Sequence, residues 1–289
     1  MTLQRFKLSK RVNQLIAFNL FRGISFLIVG ILFLIIGFIV VRGFSVISWD
    51  FLTKMPEDGM TGGGIMPAIV GTLCLVVGSI LFAFPVGMLS GIYLNEYLKE
   101  NWFKKIVRSM TNNLAGVPSI IFGLFGMALF VQKLNFGDSI LAGSLTLGLM
   151  VLPIIIRTTE EALKSVDDSL RIGSYALGAT KLQTIRKVVL PICYPNIMTG
   201  LILSISRVSG ETAPILFTVA AYFLPRLPHS VFDQVMALPY HLYVLATSGT
   251  NMEKSRPMAY GTALVLIVIV LLVNLLANSV RKYFSNKLK

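Results

Sequence analysis

Six long apolar runs constrain this chain more than any other feature, because each approaches the length needed to cross a bilayer. A helix needs about 20 predominantly apolar residues to span the hydrocarbon core, and 55% of the 289 residues are hydrophobic whereas 13% are charged. Backbone in lipid must satisfy its own hydrogen bonds, and such runs fit helices better than the alternating strands of a barrel. We therefore predict an all-α membrane protein with six transmembrane helices, at 24–42, 66–92, 113–131, 140–157, 196–222 and 258–280.

The basic residues predict the orientation of these helices. Of the 26 Lys and Arg residues, 19 fall in the amino-terminal tail, the segments 93–112 and 157–195, and the carboxyl-terminal tail. Lys and Arg concentrate on the cytosolic side of membrane proteins, so both termini are expected in the cytosol. A net charge of +13 is also found in proteins that bind nucleic acid. Here the charges flank apolar runs, so membrane lipid is the expected partner and nucleic acid is not.

No separate soluble domain is expected. The chain divides into residues 1–65 (a basic tail, the first span and an outer loop), a membrane core at 66–282 that contains the polar loop 158–195, and a tail at 283–289. The glycine-rich run 61–64 is interpreted as a flexible entry to the second span. Neither a preceding strand nor a following Gly-Lys-Ser/Thr supports a phosphate-binding loop there.

Motifs for catalysis, metal binding or cofactor binding do not stand out. The two histidines, His229 and His241, are twelve residues apart, which is not the spacing of a zinc-binding helix. No nucleophile and base are placed together within a span. We expect a non-catalytic chain with no metal and no cofactor.

The most unusual segment is the polar, basic stretch 169–191, which separates the fourth and fifth apolar runs. A connection between two spans needs only a few polar residues, yet this one carries enough helix-forming sequence for two short amphipathic helices that meet near Gly178. We predict that it docks on a cytosolic partner.

Small residues and prolines interrupt the apolar runs. Gly87 and Gly91 form a Gly-x-x-x-Gly in the second run, which lets two membrane helices approach closely. Before the third run, polar and helix-breaking residues cluster at 112–119, among them Gly116 and Pro118. This cluster predicts an irregular helix start that lines a cavity.

Two opposite charges lie within the fifth apolar run. Arg207 and Glu211 are four residues apart, so in a helix they face the same side and can pair. A lone charge at mid-membrane costs about 3 kcal/mol on insertion scales and generally faces protein or water. The pair could serve only to fasten this helix to a neighbour. We favour a solute pathway, because glycine and proline beside the pair loosen the backbone, and assign to it Arg207, Glu211, Thr212 and Ser119.

Four segments together resemble a known family. The pattern Gly178-x9-Val188-x-Leu190-Pro191 resembles the EAA loop of bacterial ABC-importer permeases. GVPSIIFGLFG at 116–126, SGETAPILFT at 209–218 and ALPYHLYVLAT at 237–247 are similar to the A-type permease of the phosphate-specific (Pst) importer. The loop alone identifies the superfamily, whereas the three further segments point to the phosphate subtype.

The resemblance implies a type I ABC importer permease in the bacterial cytoplasmic (inner) membrane, forming half of a phosphate translocation pathway. The implied partners are a homologous second permease subunit, a dimer of cytosolic ATP-binding subunits and an extracytoplasmic phosphate-binding protein. The family's loop usually has Glu six residues before its glycine, where this chain has Ile172, so any polar contact of that Glu is not carried over. Contact with the ATPase is expected from Ser169, Leu170, Gly173, Ala176, Leu177, Gly178, Ala179 and Thr180.

Two alternatives stay open from the sequence. The transported anion could be another oxyanion, such as sulfate, molybdate or phosphonate, because much of an importer's selectivity resides in its binding protein. The chain could also be a structural or sensory membrane subunit without a transport cycle.

Overall fold

The structure is a computed structural model that describes residues 2–248 and 252–286. Helices dominate it, and a small antiparallel hairpin (β1, Pro56–Glu57; β2, Gly62–Gly63) lies before the second span. In chain order the α-helices are α1 (Thr2–Phe44), α2 (Trp49–Thr53), α3 (Met66–Ile92), α4 (Trp102–Ala115), α5 (Ser119–Gly126), α6 (Ile140–Lys164), α7 (Asp168–Ala176), α8 (Lys181–Thr184), α9 (Leu190–Ser209), α10 (Ala213–Leu216), α11 (Leu238–Thr247) and α12 (Met252–Asn286).

Helical segments of membrane length confirm the all-α membrane fold. Within the described residues, five are long and apolar enough to cross a bilayer: Gln14–Phe44, Met66–Tyr97, Ile140–Lys164, Lys181–Ser209 and Met252–Tyr283. A sixth crossing is obtained if the bent pair of α4 and the segment Ser119–Lys133 is counted as one span. The two halves of that pair meet at an angle of 101°.

The third span differs from its prediction, because the run 113–131 is not one helix. α4 ends at Ala115, and α5 begins only at Ser119, after the chain has turned at Gly116 and Pro118. Proline has no amide hydrogen and disfavours helix in the residue before it, which accounts for the break. The predicted irregular start is therefore confirmed, although Asn112 and Asn113 lie inside α4.

The prediction of the fifth span at 196–222 is wrong at both ends. Helical structure begins at Lys181 and continues through a π-helical turn at Ile185–Val189 into α9, which ends at Ser209. The apolar residues beyond Ser209 do not extend α9; they fold back over the amino-terminal end of α6. There Ser139 N donates to Thr218 O and Ile140 N to Asp233 O, both at 2.9 Å.

Two segments between predicted spans are more ordered than the sequence indicated. Residues 223–257, between the predicted fifth and sixth spans, contain α11, whose Leu238 and Leu245 are buried in a cluster with residues of α2 and α12. The run 61–64 is not a loose entry to the second span. Gly63 has φ +75 within β2, and a Cβ added at Gly64 would meet backbone oxygens at 2.5 to 2.8 Å.

The centre of the bundle is the contact between α3 and α6. A Cβ added at Gly87 would lie 2.7 Å from Ile155 Cγ2, and one added at Gly91 would lie 2.7 Å from Thr159 Cβ. The two backbones are close only because these positions lack side chains. The predicted Gly-x-x-x-Gly contact is confirmed, and it positions α6, whose carboxyl end leads into the polar loop.

Candidate coupling loop and solute pathway

The polar loop contains the short helix α7, a turn at Gly178 and α8. The predicted turn between two helices is present, but the second predicted short helix is the start of the continuous segment Lys181–Ser209. α7 begins after Asp167, whose carboxylate accepts a hydrogen bond of 2.8 Å from the backbone N–H of Ser169. That backbone hydrogen bond holds the pKa of Asp167 below its usual range. α8 begins after Thr180 with a capping box, in which Thr180 Oγ1 accepts from Gln183 N and Gln183 Oε1 accepts from Thr180 N. Both helix starts are therefore specified by local side chains.

Gly178 makes the turn between the two helices. Its φ is +81, a conformation that residues with a Cβ rarely adopt, and its N–H donates to Tyr175 O at 2.9 Å. Apart from the two adjacent residues, no atom in the described part of the chain lies within 4 Å of a Cβ added there. The requirement for glycine therefore comes from the backbone conformation.

The loop presents an apolar surface to its surroundings. Of the eight residues predicted to contact an ATPase, Ala179 is half-buried and the other seven are exposed. Leu177, at the tip, is 90% exposed, and the same surface includes the exposed side chains of Leu170, Ile172, Tyr175 and Leu182. Exposed apolar patches of this kind mark sites of protein contact.

Arg171, which the sequence analysis did not single out, fastens the loop to the membrane helices. Its Nη1 donates to Val166 O (2.7 Å) and its Nη2 to Leu163 O (2.8 Å), so the guanidinium satisfies carbonyls at the carboxyl end of α6. Nη2 also contacts Glu96 Oε1 at 2.9 Å, and Nη1 contacts Asp168 Oδ1 at 3.1 Å. The loop is thus joined to the ends of both α3 and α6.

The contact between Arg171 and Glu96 is largely withdrawn from water. The two side chains are 13% and 6% exposed. Burial opposes the charge of Arg171, but its hydrogen bond to Glu96, together with the charges of Glu96 and Asp168, raises its pKa overall. Glu96 lies in the π-helical turn Tyr93–Tyr97, which extends α3 far enough to reach the loop.

A second contact holds the two arms of the loop together. Ser174 Oγ and Thr184 Oγ1 are 2.9 Å apart, and both residues are buried. A buried hydroxyl pair satisfies two polar groups that would otherwise lie without partners. This hydrogen bond joins α7 to α8, which continues into α9.

The predicted pathway pair lies where α9 ends. Arg207 is in the last turn of the helix and Glu211 is just beyond it, with Arg207 Nε 3.5 Å from Glu211 Oε1. The expectation that both belong to one continuous helix is wrong, because the helix ends at Ser209. The two side chains nevertheless meet, since the backbone continues as a turn: Gly210 N and Glu211 N donate to Arg207 O and Val208 O.

Arg207 retains unused hydrogen-bonding capacity. A guanidinium has five N–H donors, and within the described residues Glu211 is its only charged contact. Its side chain is 37% exposed and that of Glu211 is 18% exposed. On α9, Arg207 shares an open stripe with the exposed residues Asn196, Leu203 and Gly210.

The remaining pathway residues lie at neighbouring helix starts. Thr212 precedes α10, and its carbonyl accepts from Leu216 N at 3.2 Å. Ser119 is the first residue of α5, one turn before Gly123, where an added Cβ would meet Ala213 O at 3.0 Å. The structure therefore brings α5 against α10. No hydrogen bond in the described part of the chain joins Ser119 to Arg207, Glu211 or Thr212.

Three features together are those of a membrane permease: a bundle of membrane-crossing helices, an exposed loop that turns at Gly178, and a partly exposed charged pair where the span Lys181–Ser209 ends. The family described as "Binding-protein-dependent transport system inner membrane component" matches residues 83–289. The chain belongs to this family. It is thus a multi-pass inner-membrane component of a transport system that works with a binding protein, and it is the permease part, not the catalytic one.

Individual relatives agree with this assignment over nearly the whole chain. The chain is 38% identical to "Phosphate transport system permease protein PstA" of Mycobacterium leprae, over 96% of this chain and 92% of that protein. It is 35% identical to the protein of the same name in Yersinia pestis, over 86% and 82%. It is 30% identical to "Probable ABC transporter permease protein YqgI" of Bacillus subtilis, over 93% and 95%.

Solved structures share the fold at low sequence identity. A bacterial ABC transporter involved in the import of the acidic polysaccharide alginate aligns with a TM-score of 0.65 and 17% identity, covering 90% of this chain and 94% of that one. The MetNI methionine ABC transporter, in an inward-facing conformation, aligns with a TM-score of 0.59 and 19% identity, covering 76% and 97%. The predicted type I importer permease fold is confirmed.

Proposed function

We propose that this chain is the A-type permease subunit of an ATP-driven inorganic phosphate importer. One observation carries the proposal: Arg207 lies within a membrane span, is partly exposed and has donors to spare. A guanidinium binds tetrahedral oxyanions with paired hydrogen bonds, which an apolar wall cannot provide. The names of relatives that align over nearly the whole chain support phosphate as the anion.

In this proposal the open stripe of α9 faces a homologous second permease subunit, and the two chains enclose the pathway between them. Glu211 compensates Arg207 when no anion is bound, so that the arginine does not retain phosphate too tightly for release. Thr212 and Ser119 contribute hydroxyl groups beside the pair. Phosphate arrives from an extracytoplasmic binding protein, at the end of the chain opposite to the polar loop.

The polar loop would receive the energy for transport. Its apolar surface, centred on Leu177, fits a groove on a dimer of cytosolic ATP-binding subunits. That contact requires the loop, and hence both termini, to be cytosolic, in agreement with the distribution of Lys and Arg. Arg171 would pass motion of the loop to α3 and α6 through its contacts with Glu96 and Leu163.

The proposal is tested by reconstituting the chain with its three partners in proteoliposomes. We expect ATP-dependent uptake of radiolabelled phosphate that excess unlabelled phosphate suppresses and that sulfate, molybdate and phosphonate do not. Equal suppression by sulfate or molybdate would assign a different oxyanion. Absence of any ATPase subunit from the complex purified from native membranes would contradict the importer function itself.

Gly178→Val tests the role of the loop. Valine is strained at φ +81, so we expect the loop to lose its shape and phosphate-stimulated ATP hydrolysis to be abolished, with membrane insertion intact. Gly137→Val is the matched control, because Gly137 has φ +66, equally open surroundings and a position in the segment between α5 and α6, far from the loop. Wild-type stimulation in Gly178→Val would refute the coupling role.

A further inference from the structure

α4 is amphipathic, but its two faces are turned the opposite way from those of a helix in a water-soluble protein. Lys104 is 4% exposed, and its Nζ contacts Glu100 at 2.7 Å and Leu98 O at 3.2 Å. Arg108 reaches Glu160 of α6, with Nε 2.8 Å from Oε1. The polar face of the helix thus packs on the protein.

The apolar face of α4 is uncovered. Its exposed side chains recur every three to four residues, as expected for one face of a helix, and they are Trp102, Phe103, Ile106, Met110 and Leu114. Trp102 is 72% exposed. A stripe of this size is unfavourable in water, so the surrounding medium or a partner must be apolar.

The direction of α4 indicates that lipid, and not another protein, covers its apolar face. The helix begins just after the end of α3 that contacts the polar loop, and it meets the following helical segment, Ser119–Lys133, at 101°. If that segment crosses the bilayer, α4 lies nearly in the membrane plane. A stripe along such a helix faces the acyl chains of the leaflet beneath it.

The flanking charges complement anionic headgroups. Lys99, just before the helix, and Lys105, on its first turn, are exposed and make no ion pair within the described residues. Lys104 and Arg108, in contrast, are engaged by Glu100 and Glu160. Tryptophan and free lysines at the start of an amphipathic helix are typical of an interfacial helix on an anionic surface.

We propose that α4 is an interfacial helix whose stripe inserts into the cytoplasmic leaflet, with Lys99 and Lys105 on anionic phospholipid headgroups. The apolar surface continues past Leu114 into a groove of about 380 Å³ between α5 and α6, which includes Ile121 and Leu152. Apolar surface therefore runs without interruption from the helix toward hydrocarbon depth. The inference does not depend on which anion is transported.

The first test uses Trp102 as a depth reporter in the full chain. The sequence has two tryptophans, so Trp49→Phe leaves Trp102 alone. In vesicles of phosphatidylethanolamine and phosphatidylglycerol, we expect bromine near the glycerol end of the acyl chains to quench Trp102 roughly twofold, and bromine near the chain ends to quench it less. As control, Trp49→Phe, Trp102→Phe and Asn112→Trp together place the reporter on the polar side of α4. The reporter at position 112 should be quenched by aqueous acrylamide and not by bromine. Equal quenching by bromine of the reporters at 102 and 112 would overturn the proposal.

The second test identifies the covering in the assembled complex. A photoreactive amino acid in place of Met110 should, after irradiation of native membranes, give an adduct with the mass of a phospholipid. Cross-linking mainly to another protein chain would overturn the proposal in favour of a subunit interface.

The charges are tested separately. Lys99→Glu with Lys105→Glu should reduce the phosphatidylglycerol-dependent part of the Trp102 quenching, whereas Lys133→Glu, in the segment between α5 and α6, should not. Unchanged quenching of Trp102 in the variant with both lysines replaced would mean that Lys99 and Lys105 do not bind anionic headgroups.

Discussion

Arg171 and Arg207 both face a glutamate, but they do so in opposite surroundings. Arg171 is 13% exposed and donates to four acceptors at 2.7 to 3.1 Å, of which one is a carbonyl in the last turn of α6 and one a carbonyl just beyond it. Arg207 is 37% exposed, and its Nε lies 3.5 Å from Glu211. Arg171 uses four of its five N–H donors on its own chain, whereas Arg207 retains most of its donors for a partner that the described residues do not supply.

This difference supports a structural role for Arg171 and agrees with the proposed role of Arg207 in transport. A buried, fully paired guanidinium specifies how segments of a protein lie against each other. A partly exposed and loosely paired one can exchange its partner for an anion at low cost. Substitutions of the two arginines should therefore fail in different assays.

The largest expected effect is on stability, in Arg171→Met. The change leaves Glu96, which is 6% exposed, without its partner, and removing one member of a buried pair costs about 3 kcal/mol. We expect a lower unfolding temperature in detergent. Arg157→Met is the matched control, because Arg157 and Glu161 are each 62% exposed and such pairs contribute at most about 1 kcal/mol. Equal losses in the two variants would mean that Arg171 has no special role.

The next effect is on transport, in Arg207→Gln. Hydrogen bonds to charged groups contribute about 1.5 to 3 kcal/mol, so uptake per assembled complex should fall roughly 10- to 100-fold with the amount of complex preserved. Arg207→Lys should retain part of the uptake, because the charge survives without the planar fork. If Arg207 and Glu211 only fasten helices, Arg207→Gln should lower the amount of assembled complex instead. Normal uptake per assembled complex in this variant would exclude the pathway role.

A smaller effect is expected in Glu211→Gln. This change leaves Arg207 uncompensated, so phosphate should be held longer and its release slowed more than its entry. A partly exposed ion pair contributes up to about 1 kcal/mol, which corresponds to roughly a fivefold change. Single-turnover measurements of release into the vesicle lumen can detect it, and slowed entry with unchanged release would contradict this role.

The smallest effect is expected within the loop, in Ser174→Ala. The change leaves the buried hydroxyl of Thr184 without its partner and should cost about 1 kcal/mol. Faster hydrogen exchange of the backbone amides in α8 would report it. Ser109→Ala, which removes an exposed hydroxyl, should change exchange in the loop by much less.

The sequence predicts best where hydropathy and local signals agree. The limits of α3 match the predicted second span at both ends, and the turn at Gly178 lies where the prediction placed it. In both places the information is local: an apolar run of the right length, or a glycine between two helix-forming stretches. Much of the polar loop could therefore be derived from the sequence alone.

Hydropathy does not predict the structure beyond Ser209, because it reports depth in the membrane and does not report whether the backbone is helical. Residues 213–222 are apolar, yet Pro214 cannot continue the hydrogen bonds of α9, and these residues cover the end of α6 instead. α11 was missed for a related reason. Its ten residues are too few for a span, and only the contact with α12 identifies it as part of the core.

The contact of Arg171 with Glu96 could not be predicted from one sequence. The two residues are 75 positions apart, and each follows a helix whose length determines whether the side chains meet. Arg171 is simply one of five basic residues in the polar loop 158–195, and Glu96 is one of the acids near the end of a span. Their pairing depends on the extension of α3 by its π-helical turn.

The rod that runs from Lys181 to Ser209 has a mechanical consequence. Its 29 residues correspond to a length of roughly 43 Å at 1.5 Å per residue, and it joins the Gly178 turn to Arg207. We infer that it acts as a lever: a tilt of about 5° at one end displaces the other by about 4 Å, more than the length of a hydrogen bond. Spectroscopic distances between labels at the two ends and a fixed point on α6 would show whether the ends move in opposite directions. Such a lever would convert a small push at the cytosolic surface into the gain or loss of an anion's partner inside the membrane, without any relay of side chains between them.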